Sequence, residues 1–508
     1  MMKKRGLVTI AALAAGVALA GFMSSFIESP KTKNEFLHEH LSVGSEKQEL
    51  SWVNSEFSLP VQEKIKIENI IKQSENLKSD FDLKTVLTGQ ALKAALSSVC
   101  TSKVQNCSYP LRINRQLTTA HMNKDMRVIN VKERSHRIDF KFEQDSSDIS
   151  FQSITNETRV LRFYQTQAGW IQNVSMPIQS EVLSFSPRED KFRERFEQSY
   201  TGLNYYPASA SWMDFWKTFP VADIEADLEV AKSLNVNGLR IFLTHDYFND
   251  VKTHADGLSK LETFLDMCEA KNIQVLITLF DLRPNYAVSN WQADIAHIDK
   301  VISSVEDHNA VLAIDLKNQP DLDFENWGQG RVEGWLTVMA RHIQTQYPDF
   351  AVTAGWSRAE NAFRLQDVFD LITYHEYQNP KGLEARLQSV VKAAAGKPVM
   401  ITELGSTTWH PPFIARLGER AQASRLKFQL SQAKSATGVF IWTLNDFDNV
   451  GKDVVGPLPW RRAQQKHFGL RRADKTLRPA AGFLKAFGQQ SESQSNLTNP
   501  KHIQTQPL

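Results

Sequence analysis

Eight short apolar runs through residues 200–488, separated by helical segments, predict an α/β chain whose C-terminal part is a (β/α)8 barrel, or TIM barrel. A smaller α+β domain over residues 59–180 is expected ahead of it, because helical segments there give way to strands of period two. The 508 residues suffice for two or three domains. A composition 23% charged and 42% hydrophobic excludes a disordered, collagenous or multi-spanning membrane chain. Lys+Arg 59 against Asp+Glu 57 leaves +2, which gives no reason to expect a nucleic acid partner. Nine of the eleven tryptophans lie past residue 200, which points to a ligand-handling domain there.

The N-terminus reads as an export signal. Lys3, Lys4 and Arg5 precede an uncharged, mostly apolar stretch from Gly6 to Ile27, and Ala18-Leu19-Ala20 fits a small-x-small cleavage site. The stretch is also long enough to span a bilayer. A cleaved signal peptide and an uncleaved anchor over residues 1–27 both fit. Either puts the bulk of the chain outside the cytoplasm, in the periplasm or the extracellular space. The segment has no cysteine, which argues against a lipid anchor. Residues 28–58 read as a polar linker. Export permits disulfides, and a local Cys100–Cys107 bridge is plausible; Cys268, in an amphipathic helical pattern, reads as a buried free thiol.

In the smaller domain, Leu59 to Lys78 has helical periodicity, with Ile65, Ile67, Ile70 and Ile71 assigned to one side. Asp82 to Val99 is a second helical run. The period then becomes two: Ile138, Phe140 and Phe142 alternate with charged residues. Asp148–Ile154, Arg159–Gln165 and Gly169–Met176 continue a sheet, with a turn at Ala168-Gly169. This order, with the phrases Leu87-Thr88-Gly89 and Gly169-Trp170, resembles the nuclear-transport-factor-2-like fold. It holds no catalytic constellation, so an accessory domain that docks an envelope protein partner is expected. The chain from Gln489 is polar and aperiodic, which predicts a disordered tail over 489–508.

The eight runs of the larger domain begin near Gly202, Asn237, Ile273, Ala310, Phe350, Asp370, Pro398 and Gly438. They are continuous rather than alternating, as strands covered on both faces are. Ile224–Leu234, Leu258–Ala270, Trp291–Val305, Val332–Gln344 and Leu383–Ala394 are the helical segments between them. A doubly wound open sheet would want a Gly-rich phosphate loop after an early strand, and there is none.

Barrel active sites lie at the C-terminal ends of the strands. The second run carries Arg240, the fourth ends Asn318-Gln319-Pro320, the sixth ends His375-Glu376-Tyr377, the seventh ends Thr402-Glu403-Leu404 and the eighth ends Ile441-Trp442-Thr443. Fork-like polar groups suit sugar hydroxyls, and indole suits the apolar face of a sugar ring. Trp356 and Trp409, at or just after strand ends, are further stacking candidates, as is Trp460. Trp212, Trp216 and Trp335 read as helix-packing residues. No His/Cys cluster has metal-ligand spacing, and neither a phosphate loop nor a nucleophile elbow appears, so no metal or cofactor is expected.

Residues 200–488 resemble the clan A retaining glycoside hydrolases, closest to family 5, the cellulase and mannanase group. The resemblance rests on Arg240, Asn318, His375, Tyr377, Glu403 and Trp442 in order, and on the closing phrase His467-Phe468-Gly469-Leu470. It implies that Glu403 is the nucleophile, that Asn318 binds the sugar 2-hydroxyl, that Tyr377 orients Glu403 and that Trp442 floors the sugar site. Two positions depart from the family. Gln319 stands where the acid/base Glu belongs, and Thr278-Leu279-Phe280-Asp281 lacks the usual histidine. An amide donates no proton, whereas retaining hydrolysis uses two carboxyl groups about 5–5.5 Å apart.

Four readings follow. The leaving group needs no proton, as in the thioglucosidases of the same clan; or Asp321, Asp323, Glu325 or Glu376 substitutes; or the barrel transfers glycosyl groups rather than hydrolysing them; or it is a non-catalytic glycan-binding pseudoenzyme in envelope polysaccharide assembly or export. Of the four carboxylates, Glu376 alternates away from His375 and Tyr377 and should point out of the bowl. The expected function is an exported glycoside hydrolase-like protein acting on a β-linked oligo- or polysaccharide through Glu403, with Arg240 keeping that carboxylate ionised. The binding-only protein is the alternative.

Overall fold

The computed structural model describes residues 50–52, 60–75, 108–122, 127–142, 149–167, 169–185, 188–283, 285–287, 290–410 and 418–498. The export signal, the Asp82–Val99 helix and the Cys100–Cys107 bridge lie outside the described residues. Among those described, no helix is long and apolar enough to cross a membrane.

The smaller domain is a five-stranded sheet in the order β1 (Leu50–Trp52), β2 (Ser108–Met122), β3 (Val128–Phe142), β4 (Ile149–Thr166) and β5 (Gly169–Val182). β2 to β5 pair antiparallel and β1 lies parallel to β2, so part of the expected linker is a strand. β2 is hard to read from sequence because its register shifts between Ile113 and Gln116, which interrupts the alternation. The two short strands expected over 148–165 are one, β4. The helix Val61–Glu75 buries Ile67, Ile70 and Ile71 against Leu117, Ile129, Val131, Leu161 and Phe163. Ile65 is half exposed, on the far side of the helix from Ile67, because two positions turn the helix through about 200°. Ile138 and Ile154, on the sheet's other face, belong to one apolar cluster with the barrel.

All eight expected barrel strands form, and they close into a parallel barrel. They are β6 (Tyr200–Asn204), β7 (Gly238–Thr244), β8 (Gln274–Asp281), β9 (Val311–Asn318), β10 (Val352–Trp356), β11 (Ile372–Glu376), β12 (Val399–Leu404) and β13 (Gly438–Ile441). The helices Val221–Ser233, His254–Glu269, Trp291–Ser304, Gln329–Gln346, Leu383–Ala393 and Glu419–Gln432 surround it. Cys268 is free and buried, and burial pushes its thiol up. The last helix, Pro479–Thr498, runs past Gln489, which corrects the disordered tail as far as Thr498. Ala480, Ala481 and Leu484 are buried, so packing holds the start of this helix and the polar end continues its turns.

A short segment before β6 closes the barrel's lower end. Phe192 and Phe196, around the one-turn helix Arg193–Glu197, pack with Leu276, Leu312, Ala351, Leu371, Met400 and Phe440. Arg195 Nη1 donates to Leu312 O at 3.1 Å, and Tyr200 Oη donates to Arg195 O at 2.7 Å. Four register shifts lie toward the opposite ends of the strands, between Phe242 and Thr244, Thr353 and Gly355, Tyr374 and His375, and Ile401 and Leu404, and another lies between Val275 and Leu276 at the start of β8. Such irregularities re-aim side chains.

Candidate active site

Backbone pairing assembles the site. Asn204 lies opposite Arg240, Thr278 opposite Asp315, Asn318 opposite Gly355 and His375 opposite Glu403. Arg240 is fully buried at the centre. Its Nη1 donates to Glu403 Oε1 at 2.6 Å, while Nε and Nη2 donate to Asp315 Oδ2 at 2.9 and 2.6 Å. Asn204 Oδ1 and Asn318 Oδ1 accept from the same guanidinium at 3.2 and 3.1 Å. Asp315 also accepts from Thr278 Oγ1 and from the Gly355 amide, both at 2.9 Å. A Cβ at Gly355 would stand 3.0 Å from both Arg240 Nη2 and His375 Nε2, so the small residue lets the guanidinium and the imidazole approach the strand.

Glu403 Oε2 accepts from Tyr377 Oη at 2.9 Å, and His375 Nδ1 lies 3.4 Å from the same oxygen. Burial pushes the Glu403 carboxyl up to about 7, with Arg240 and Tyr377 opposing the rise and Asp281 adding to it. Arg240 does favour the ionised carboxylate, as expected, but burial outweighs it. The guanidinium is shared with Asp315, so the desolvation of Glu403 is only partly offset. Burial, then Arg240, hold His375 well below its ordinary range, so its ring is neutral at pH 7. Replacing Arg240 by Met is expected to cost about 3–5 kcal/mol, because it strands two buried carboxylates. Urea unfolding of wild type and Arg240→Met at pH 8 checks this.

Gln319 adopts a left-handed backbone conformation, φ 49°, at the end of β9, and its amide N–H donates to Gly355 O at 2.8 Å. Its side-chain Nε2 lies 2.8 Å from His375 Nδ1, the nitrogen that also neighbours Glu403. The amide is thus brought beside the carboxylate through one shared ring atom.

The four substitute carboxylates are engaged elsewhere or exposed. Asp321 accepts from Ser357 N, Ser357 Oγ and Asn361 Nδ2 at 2.8, 2.6 and 2.7 Å. Asp323 accepts from Tyr286 Oη at 2.7 Å. Glu325 is exposed. Glu376 turns out of the bowl, as expected, into a two-pronged pair with Arg386 at 2.9 and 2.7 Å.

Trp442 is buried among Tyr206, Trp212, Phe242 and Phe447. Trp356 is only 1% exposed and packs on Phe324 and Phe369, which removes it from the sugar-stacking candidates. Trp409 is half-buried in the loop after β12, where Thr407 Oγ1 donates to Gln464 O at 2.8 Å. Trp460 is half exposed, whereas Trp212, Trp216 and Trp335 are buried. Sequence reasoning assigned no site role to Asp315, Asp281, Asn204, Thr278 or Tyr206. Asp315 had a signal: a carboxylate inside the apolar run Ala310–Leu316 needs a buried cation. Among the described residues, no group of three or more His, Cys, Asp or Glu could hold a metal ion.

No protein-family model matches the chain, and no curated protein does. Among solved structures it is similar to an exo-β-1,4-mannosidase from Opitutaceae bacterium strain TAV5, at 20% identity and a TM-score of 0.48, over 58% of this chain and 60% of that one. It is also similar to GH5_18 from Streptomyces cattleya in complex with GlcNAc, at 13% identity and 0.48, over 58% and 81%. A third likeness is to the β-glycosidase BGL167, at 12% identity and 0.47, over 61% and 99%. The chain therefore spans less than two thirds of the first of these. They are likenesses of fold, and no substrate passes from them to this chain.

Proposed function

We propose that the chain is an exported glycosidase or transglycosidase that binds a β-linked glycan in the barrel mouth and attacks its anomeric carbon with Glu403. The observation that carries the reading is the setting of Glu403: a buried carboxylate at the end of β12, fixed on one oxygen by Arg240 and on the other by Tyr377. A carboxylate held from two sides cannot rotate away, and that orientation lowers the entropy cost of attack. As Glu403 bonds to C1, the C1–O bond breaks and the leaving group departs with the electron pair. Water or an acceptor sugar then displaces Glu403. Asn318 contacts the C2 substituent, and Trp442 walls the sugar site. Gln319 offers the leaving atom a hydrogen bond but no proton, which suits a leaving group that departs as an anion.

The binding-only reading is favoured by one observation, the engagement of the Gln319 amide with His375. An activated 2-deoxy-2-fluoro glycoside carrying a dinitrophenyl leaving group separates the two readings, because it traps the covalent intermediate without needing an acid. Labelling of Glu403, located by peptide mass spectrometry, supports the enzyme. Glycan binding without labelling supports the pseudoenzyme.

The labelling rate has a defined pH dependence. Only ionised Glu403 attacks, and its carboxyl is pushed up to about 7. The rate should therefore rise about tenfold per unit between pH 5 and 6 and level off above about 7. A rate already flat from pH 5 would show that Glu403 ionises in the ordinary carboxylate range.

A further inference from the structure

Buried carboxylates in this protein have cations. Asp294 lies 2.6 Å from Arg283, Asp446 2.6 Å from Arg478 and Glu133 2.9 Å from Arg115. Among the described residues, every other buried Asp or Glu likewise has an arginine or lysine within 4.0 Å, with one exception. The exception is Asp281, at the C-terminal end of β8 and 9% exposed. Its Oδ1 accepts from Asn318 Nδ2 at 3.2 Å and its Oδ2 from Tyr206 Oη at 3.3 Å, two long bonds from neutral donors. The nearest lysine is engaged elsewhere: Lys317 Nζ donates to Asn318 O at 3.0 Å and faces Asp323 at 3.6 Å.

The neighbourhood adds to the deficit. Asp281, Asp315 and Glu403 surround the single guanidinium of Arg240, which contacts the last two and leaves the first. An uncompensated buried charge is costly, and a structure that carries one is poised to receive its partner from a ligand. Burial holds the Asp281 carboxyl above its usual range, against the pull of Lys317 and Arg240.

We infer that Asp281 is the receptor for a protonated amine on the sugar in the site, so that the substrate is a β-linked glycan of 2-amino-2-deoxyhexose with the amine free. This rests on the proposed role of Asn318 at the C2 substituent. Asn318 Oδ1 accepts from Arg240 and keeps a second lone pair, and Asn318 Nδ2 touches Asp281. An ammonium at C2 would donate to both acceptors and supply the missing cation. A hydroxyl there would leave Asp281 uncompensated. An N-acetyl group would bring bulk and no charge.

Two measurements on the full chain test the inference separately from the proposed reaction. The first is calorimetric binding of glucosamine oligosaccharides and of cello-oligosaccharides of equal length, at pH 6, to the Glu403→Gln variant and to Glu403→Gln combined with Asp281→Asn. Glucosamine chains should bind Glu403→Gln at least tenfold tighter, and Asp281→Asn should bring the ratio near one, a loss of about tenfold or more in discrimination. Equal binding of the two chains to Glu403→Gln, or a ratio unmoved by Asp281→Asn, overturns the inference. The comparison on Glu403→Gln stands even if the double variant fails to fold. The second measurement is dinitrophenol release by wild type from the dinitrophenyl β-glucosaminide and from the corresponding β-glucoside. Preference for the glucosaminide supports the inference, and preference for the glucoside overturns it. Tight glucosamine binding without release of dinitrophenol leaves the amine receptor intact and removes the nucleophile.

Discussion

Glu403→Ala should abolish dinitrophenol release from every dinitrophenyl β-glycoside the wild type accepts. Loss of a covalent nucleophile costs on the order of 10⁴-fold or more, because the remaining groups bind the sugar without forming the intermediate. The leaving group makes this test clean: dinitrophenolate departs without a proton, so Gln319 does not limit the wild type. Tyr377 and His375 would remain around an empty place, and Arg240 would keep Asp315. The fold should therefore survive, which far-ultraviolet circular dichroism checks. Release near the wild-type rate in the variant would remove Glu403 from the mechanism.

Gln319→Glu is expected to raise the hydrolysis of unactivated oligosaccharides by about 10²–10⁴-fold, the usual contribution of a positioned acid/base. The new carboxyl would replace an amide whose Nε2 lies 2.8 Å from His375 Nδ1, an atom itself 3.4 Å from Glu403. Two carboxyl groups would then flank the sugar as a retaining mechanism requires. Dinitrophenyl substrates should gain far less, because their departure already proceeds unaided. The rate ratio between the two substrate classes is the readout, and an unchanged ratio in a folded variant would show that the bowl has diverged beyond this residue.

The barrel was legible because each strand is a continuous apolar run. Covered on both faces, such strands carry no polar alternation to confuse with a surface element. The order of Arg240, Asn318, His375, Tyr377, Glu403 and Trp442 could be read for the same reason: Arg240 interrupts an apolar run, and the others stand at the end of a run where the polarity changes. What escaped depends on three-dimensional packing. Trp356 follows a strand as Trp442 does, yet Phe324 and Phe369 close over it. Asp281 was met only as the last residue of a segment without the histidine that the resemblance leads one to expect. Its isolation from any cation is a relation among β7, β8 and β9 that no single segment carries. The raised carboxyl of Glu403 likewise depends on its burial in the assembled barrel and on Asp281, which lies far from it in the chain.

The segment around Phe192 and Phe196 sets where the barrel unit begins. Strand counting places the start near residue 200, yet the apolar floor of the barrel is furnished from upstream. Arg188 extends the tie, with Nη1 3.3 Å from Asp370 Oδ2. Recombination or proteolysis between Glu197 and Tyr200 would therefore separate a stopper from its bottle, exposing Leu276, Leu312, Met400 and Phe440 to water. The natural unit of inheritance is the barrel with its preceding dozen residues, and the tether to the N-terminal sheet is part of the barrel it joins.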